Sequence, residues 1–263
     1  MKIRLEDIDV GYTVAGDGPS VVLIHGLAED RTSWAGVQAA LTGYRSYAYD
    51  LRGHGETTLG AADGTLAQLG GDLVHFLTMV SGPAACVGYS LGGTVVLWTA
   101  AEHKALIRHA IVAGTSSVVG RKAAEFFAER IRSVQQDFSG FARELRRDTA
   151  AQLIASAGEL DAVTGRRLAA IGDGTGYVNA ARAMQRLADD PLEPLLRRIS
   201  CPVDVIAGEK DVCCPRKAAD MLMSSLGNAE YHEIAGAGHL MSIDNPAAYA
   251  GLIKLSLDRR FPS

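Results

Sequence analysis

The tightest constraint on what this chain can fold into is a six-residue stretch, Gly88-Tyr89-Ser90-Leu91-Gly92-Gly93. An apolar run, Ala84 to Tyr89, leads into it, and a helical pattern, Leu91 to Ala101, leads out. A G-x-S-x-G pattern between strand and helix demands a turn too sharp for side chains on its neighbours, so small residues flank the serine. Such a turn pushes the hydroxyl out of the sheet. It also sets the positive end of the following helix beneath any negative charge formed there. A glycine-rich turn with an incidental serine would carry the same pentapeptide, so the rest of the chain has to decide.

Apolar runs and helical patterns alternate on both sides of this turn. Val21 to Ile24, Tyr44 to Tyr49, Ala84 to Tyr89, Ile107 to Ala113, Val203 to Ala207 and Tyr231 to Ile234 read as strands. Trp34 to Leu41 reads as a helix. Thr65 to Val80 does so more strongly, with Leu66, Leu69, Leu73, Phe76, Leu77 and Val80 on one face. The alternation predicts an α/β chain with a mostly parallel central sheet and helices on both faces. Leu73 to Ala101 holds no Asp, Glu, Lys or Arg and is long enough to cross a bilayer. Gly82-Pro83 and Gly92-Gly93 interrupt it, so it reads as a buried strand, a turn and a buried helix.

Residues 116–198 differ. They carry twelve arginines and no strand pattern, while Phe126, Phe127, Ile131, Val134, Phe138, Phe141 and Leu145 follow helical spacing. No proline occurs between Pro83 and Pro191; then Pro191, Pro194 and Pro202 arrive together, where a helical insertion would return to the sheet. The expected organisation is one sheet domain, residues 1–115 and 199–263, with an all-helical insert at 116–198.

Composition narrows the function. With 26 Lys+Arg against 30 Asp+Glu the net charge is −4, which argues against nucleic acid or an anionic membrane as partner. At 48% hydrophobic residues the chain is too apolar to be disordered. The start, MKIRLEDIDV, lacks the apolar core of a secretory signal, and Cys86, Cys201, Cys213 and Cys214 show no metal-ligand spacing. The expectation is a cytoplasmic chain with reduced thiols, no metal and no cofactor. No phosphate-cradling glycine loop and no His-Glu-x-x-His is present.

A serine hydroxyl is a weak nucleophile until a base takes its proton and a carboxylate orients that base. After the Val203 strand comes Gly208-Glu209-Lys210-Asp211, and after the Tyr231 strand comes Ala235-Gly236-Ala237-Gly238-His239. Both lie at strand C-terminal ends, where open α/β sheets place their sites. Asp211 is the expected acid, with Glu209 as the substitute; Asp204 sits inside a strand. His239, in a glycine loop, is the expected base, and His232, inside a strand, reads as structural. Negative charge on a carbonyl oxygen needs two backbone N–H groups. Leu91, next to the serine, and Leu27, in the loop His25-Gly26-Leu27, are assigned to that role. His25, Gly26, Tyr89 and Leu240 are candidates to line the pocket.

Together, His25-Gly26, Asp50-Leu51-Arg52-Gly53-His54-Gly55, Gly88-x-Ser90-x-Gly92, Gly208-x-x-Asp211 and Gly236-x-Gly238-His239 resemble the α/β-hydrolase superfamily. Within it the chain is most similar to small lactonases and esterases of the 3-oxoadipate enol-lactonase type. The resemblance implies an α/β-hydrolase fold whose insert is a cap over the active site. It implies a serine hydrolase cleaving a small ester or lactone through an acyl-enzyme, with Ser90, Asp211 and His239 as triad, working as a monomer or homodimer. C–C bond hydrolysis of a diketone, acyl transfer, and a non-catalytic ligand receptor stay open on the same residues. Arg121, Arg130, Arg143 and Arg182 of the insert are candidates to pair with a substrate carboxylate. Oxidation of Cys213 or Cys214 would disturb the Asp211 loop.

Overall fold

The computed structural model describes residues 1–261. Eight strands form one sheet: β1 (Lys2–Leu5), β2 (Ile8–Ala15), β3 (Ser20–Ile24), β4 (Arg45–Tyr49), β5 (Ala84–Tyr89), β6 (Ile107–Ala113), β7 (Val203–Gly208) and β8 (Ala229–Ile234). Their spatial order is β1-β2-β4-β3-β5-β6-β7-β8. From β4 to β8 all neighbours run parallel, whereas β1 and β2 are antiparallel. The chain steps outward from β3 to β4 and then crosses back to β5. The order therefore reverses at β3, and a crevice opens there beyond the strand ends.

The helices among the described residues are α1 (Ala35–Ala40), α2 (Leu66–Phe76), α3 (Leu91–Glu102), α4 (Arg121–Gln136), α5 (Phe138–Gln152), α6 (Leu160–Ile171), α7 (Thr175–Arg186), α8 (Glu193–Leu196), α9 (Arg216–Ser225), α10 (Met241–Asp244) and α11 (Pro246–Arg260). Strand alternation splits the core cleanly. Val22, Ile24 and Cys86 face one side with Leu73 and Phe76 of α2 and Val96 of α3. Val21, Leu23 and Val87 face the other with Val37 of α1 and Ile253 of α11. A third cluster, Ile131, Phe141, Leu145, Tyr177 and Ala181, sits among α4, α5 and α7.

The element boundaries differ from the sequence pattern in instructive ways. β1 and β2 go unseen in the pattern because β1 is short, with only Leu5 fully buried, and β2 breaks its alternation at Gly11. Trp34 ends a 3-10 turn, Arg31–Trp34, capped by Asp30, and only Ala35–Ala40 is α-helical. The expected helix Thr65 to Val80 is capped by the Thr65 hydroxyl and turns to π geometry over Leu77–Ser81. The helical spacing from Phe126 to Leu145 is broken at Asp137, whose side chain caps α5 by accepting the Gly140 N–H at 2.9 Å. Between β6 and β7 the described residues form helices and turns only. No helix among the described residues is long and apolar enough to cross a membrane.

Candidate active site

Ser90 stands between β5 and α3 with φ 51° and ψ −118°, a left-handed conformation that serine adopts only when held there. Several bonds hold it. Its N–H donates to Ala113 O at 2.8 Å, and its carbonyl accepts from Gly93 N, Thr94 N and the Thr115 hydroxyl. The flanking glycines are required by contact. A Cβ on Gly88 would lie 2.3 Å from Gly92 O, and one on Gly92 would lie 2.2 Å from Ile24 O. The strand, the helix and the neighbouring loop meet backbone to backbone.

Two loops, after β7 and β8, bring the expected partners to this serine. The Ser90 hydroxyl donates to His239 Nε2 at 3.1 Å, and His239 Nδ1 donates to Asp211 Oδ2 at 2.8 Å. His239 is 6% and Asp211 4% exposed, so the bond between them is shielded from water. The other Asp211 oxygen accepts the N–H groups of Cys213 and Cys214, at 2.8 and 2.9 Å. Burial pushes the Asp211 carboxyl up, but His239 and these two donors outweigh it and hold the group below its usual value. The Tyr89 hydroxyl donates to His239 O at 3.0 Å and fixes the backbone that carries this imidazole.

Glu209 points elsewhere: exposed, it accepts the Gly236 N–H at 2.7 Å and braces the His239 loop. Asp204 and His232 lie within the sheet. His232 and His109 both donate to Asp204, at 2.7 and 2.6 Å, in a bridge across three strands. The N–H groups of Leu27 and Leu91 have no protein acceptor among the described residues. Leu27, Tyr89, Ser90, Leu91 and His239 all line one cavity of about 590 Å³. Much of its remaining wall is apolar and comes from α4, α5, α7 and α9, with Phe126, Phe127, Leu145, Met184 and Met221.

Other expected residues go to other work. His25 is fully buried; its Nδ1 donates to Gly26 O, its Nε2 accepts the Leu51 N–H, and burial lowers its pKa to about 4. It is a neutral strut between two loops. Gly26 lets the chain pass against Tyr89, whose ring would sit 2.8 Å from a Cβ there. Leu240 lines a smaller cavity of about 280 Å³. The Asp50 to Gly55 run is structural too. Asp50 accepts the Arg31 and Glu56 N–H groups, and buried Arg52 ties Asp7, Asp72 and two loop carbonyls together.

Arg121, Arg130, Arg143 and Arg182 are absent from the cavity wall. Arg121 and Arg143 are exposed. Arg130 pairs with Glu144 and Asp148 over the Phe126 ring, and Arg182 packs beneath Gly64. The arginine in the wall is Arg167, 8% exposed. Its Nη1 donates to Thr149 Oγ1 at 2.8 Å and Gln152 Oε1 at 2.9 Å, and its Nε has no partner. Sequence carried a signal for it. Val163, Thr164, Arg167, Ala170 and Ile171 fall on one face of α6, so this arginine is the one charged residue in a buried stripe. Two groups among the described residues bring metal-ligating atoms within 4.8 Å of one another: Asp211, Cys214 and His239, and Asp204, Glu230 and His232. All four cysteines are free.

Comparisons with known proteins agree with this fold. A model of the alpha/beta hydrolase fold matches residues 19–246. The 3-oxoadipate enol-lactonase 2 of Acinetobacter baylyi is 26% identical over 263 residues, covering 98% of this chain and 96% of that protein. The pimeloyl-[acyl-carrier protein] methyl ester esterase of Chromobacterium violaceum is 29% identical over 231 residues, covering 85% and 88%. Among solved structures, the enol-lactonase from Burkholderia xenovorans superposes with a TM-score of 0.87 at 23% identity, covering 98% of this chain and 99% of that one.

Proposed function

The chain belongs to the α/β-hydrolase family, with esterase- and lactonase-like relatives, and from that premise we propose that it is a serine hydrolase of small carboxylic esters or lactones. The observation that carries the proposal is the unbroken path Asp211–His239–Ser90, 2.8 and 3.1 Å, ending in an apolar cavity. Ser90 Oγ attacks the substrate carbonyl while His239 Nε2 takes its proton. Asp211 holds the imidazole with its proton on Nδ1 and stabilises the imidazolium that forms. The free N–H groups of Leu27 and Leu91 receive the oxyanion, with the α3 N-terminus beneath it. His239 then returns the proton to the leaving oxygen, and water, activated by the same imidazole, releases the acid from Ser90.

In this reading residues 116–198 are a cap over a core formed by 1–115 and 199–263, and they choose the substrate. The buried guanidinium of Arg167 has only neutral hydrogen-bond partners among the described residues. Glu29 stands nearby, its carboxyl pushed up by burial and drawn back down by Arg167. A buried cation so placed favours an ester or lactone that itself carries a carboxylate. The test is turnover of short-chain chromogenic esters and simple lactones by the wild type and Ser90→Ala. Multiple turnover by the wild type and a loss of about a thousandfold or more in the variant are expected. Full activity in Ser90→Ala, or binding by the wild type without turnover, would refute the proposal.

A further inference from the structure

The Asp211 loop brings a soft ligand into contact with the triad. Cys214 Sγ, a carboxylate oxygen of Asp211 and a ring nitrogen of His239 lie mutually within 4.8 Å. Ligands of a tetrahedral zinc-type ion, bonded at about 2.0–2.3 Å, stand roughly 3.3–3.8 Å apart. The Asp211–His239 pair, now 2.8 Å apart, would open by about half an ångström, and the thiol would close in by a side-chain rotation. Cys213 and Cys214 also line the Ser90 cavity, so an ion can enter by the substrate's route.

We propose that Asp211, Cys214 and His239 form an inhibitory site for a thiophilic divalent cation of the zinc or cadmium class. The set mixes thiolate, imidazole and carboxylate, the donors such ions prefer, and leaves a fourth position for solvent. On binding, the Cys214 thiol gives its proton to solvent and its sulfur bonds the metal. His239 Nδ1 bonds the metal as well, and the single imidazole proton moves to Nε2. One proton is released per ion, and no redox partner is needed. The consequence follows from the tautomer. With Nε2 protonated, His239 donates toward Ser90 and no longer accepts its proton, so the nucleophile stays switched off.

Inhibition rests on the hydrolase reading, but occupancy of the site does not, and the experiment separates the two. Cadmium and zinc are titrated into the wild type, S90A, C214S and C213S, with magnesium as the hard-cation control. Expected are loss of ester turnover in the wild type, recovery on adding a chelator, and no effect of magnesium. In S90A, where turnover is gone, cadmium should still raise the ultraviolet thiolate-to-metal band and release one proton per ion. C214S, which keeps the backbone N–H bound to Asp211, should lack the band and need at least about tenfold more cadmium for half inhibition. C213S, whatever its metal-free turnover, should keep the band and be half-inhibited, relative to its own metal-free rate, at the cadmium concentration of the wild type. Equal inhibition of C214S and wild type, or a band lost in C213S instead, would overturn the site. If no ester is turned over, the band and the proton count still decide it.

Discussion

Replacing Asp211 by Asn tests whether the acid acts through the imidazole tautomer. The structure gives the size of the effect. Asp211 Oδ1 accepts two half-buried backbone N–H groups, from Cys213 and Cys214, and Oδ2 accepts His239 Nδ1–H. An asparagine offers one oxygen and one NH2. Turning the oxygen toward His239 would point the NH2 at both backbone donors and leave them unpaired, at about 1–3 kcal/mol each, or about 2–6 kcal/mol together. The favoured orientation keeps the oxygen on the loop and donates from the NH2 to Nδ1. That forces the proton onto Nε2, where it cannot serve Ser90. At 1.4 kcal/mol per tenfold, the productive tautomer falls by roughly 30-fold to 10^4-fold, and kcat should fall with it. The loop bonds survive, so the thermal midpoint should move little. The assay is kcat and kcat/KM on a short-chain ester for Asp211→Asn and Glu209→Gln, with unfolding curves for both. Glu209→Gln keeps an acceptor for the Gly236 N–H and should stay within about threefold of wild type. If Asp211→Asn retains more than a tenth of wild-type kcat, or Glu209→Gln is the more damaging change, the tautomer argument fails and the acid lies elsewhere.

Arg167→Met should raise KM about 10- to 150-fold for a carboxylate-bearing ester and leave a neutral ester of equal length unchanged, the worth of one charge-assisted hydrogen bond. Equal effects on both substrates would show that Arg167 only supports the fold. Acid should weaken the protein through His25 and His54, whose burial lowers both pKa values from 6.5 to about 4. Between these values the unfolded chain binds protons that the folded chain refuses, so stability is full above pH 6.5. It falls by about 3 kcal/mol per histidine as pH drops toward 4. Urea midpoints at pH 7, 5.5 and 4.5 check this, and a flat profile contradicts it. Arg52→Lys loses the fork that grips Asp72 and reaches the Leu59 and Ala61 carbonyls, at about 3 kcal/mol, or roughly 6–10 °C in Tm. Calorimetry would show it, and an unchanged midpoint would remove Arg52 from the framework.

By itself the sequence determined the elements whose signals are local. Runs such as Val21 to Ile24 are apolar on every residue because helices cover both faces, and the pattern shows that directly. The serine turn is legible because backbone contact at Gly88 and Gly92 excludes side chains, a demand written in the residues themselves. The places of Asp211 and His239 after successive strands are legible as well, because parallel strands put their C-terminal ends on one edge. What stayed hidden depends on pairings between distant segments. β2 gains its place by hydrogen bonding to β4, and Asp50 to Gly55 resembles a site motif but serves as a clamp for Asp7, Asp72 and Arg31. Composition offered four arginines for a substrate carboxylate. The fold spends Arg130 on Glu144 and Asp148, packs Arg182 against Gly64 and leaves Arg121 and Arg143 in water, while a fifth arginine, Arg167, lines the cavity. Likewise no spacing announces the grouping of Cys214 with Asp211 and His239. Whether a polar group faces solvent, an ion pair or a cavity is set by which segments pack against it, and only the tertiary structure decides that.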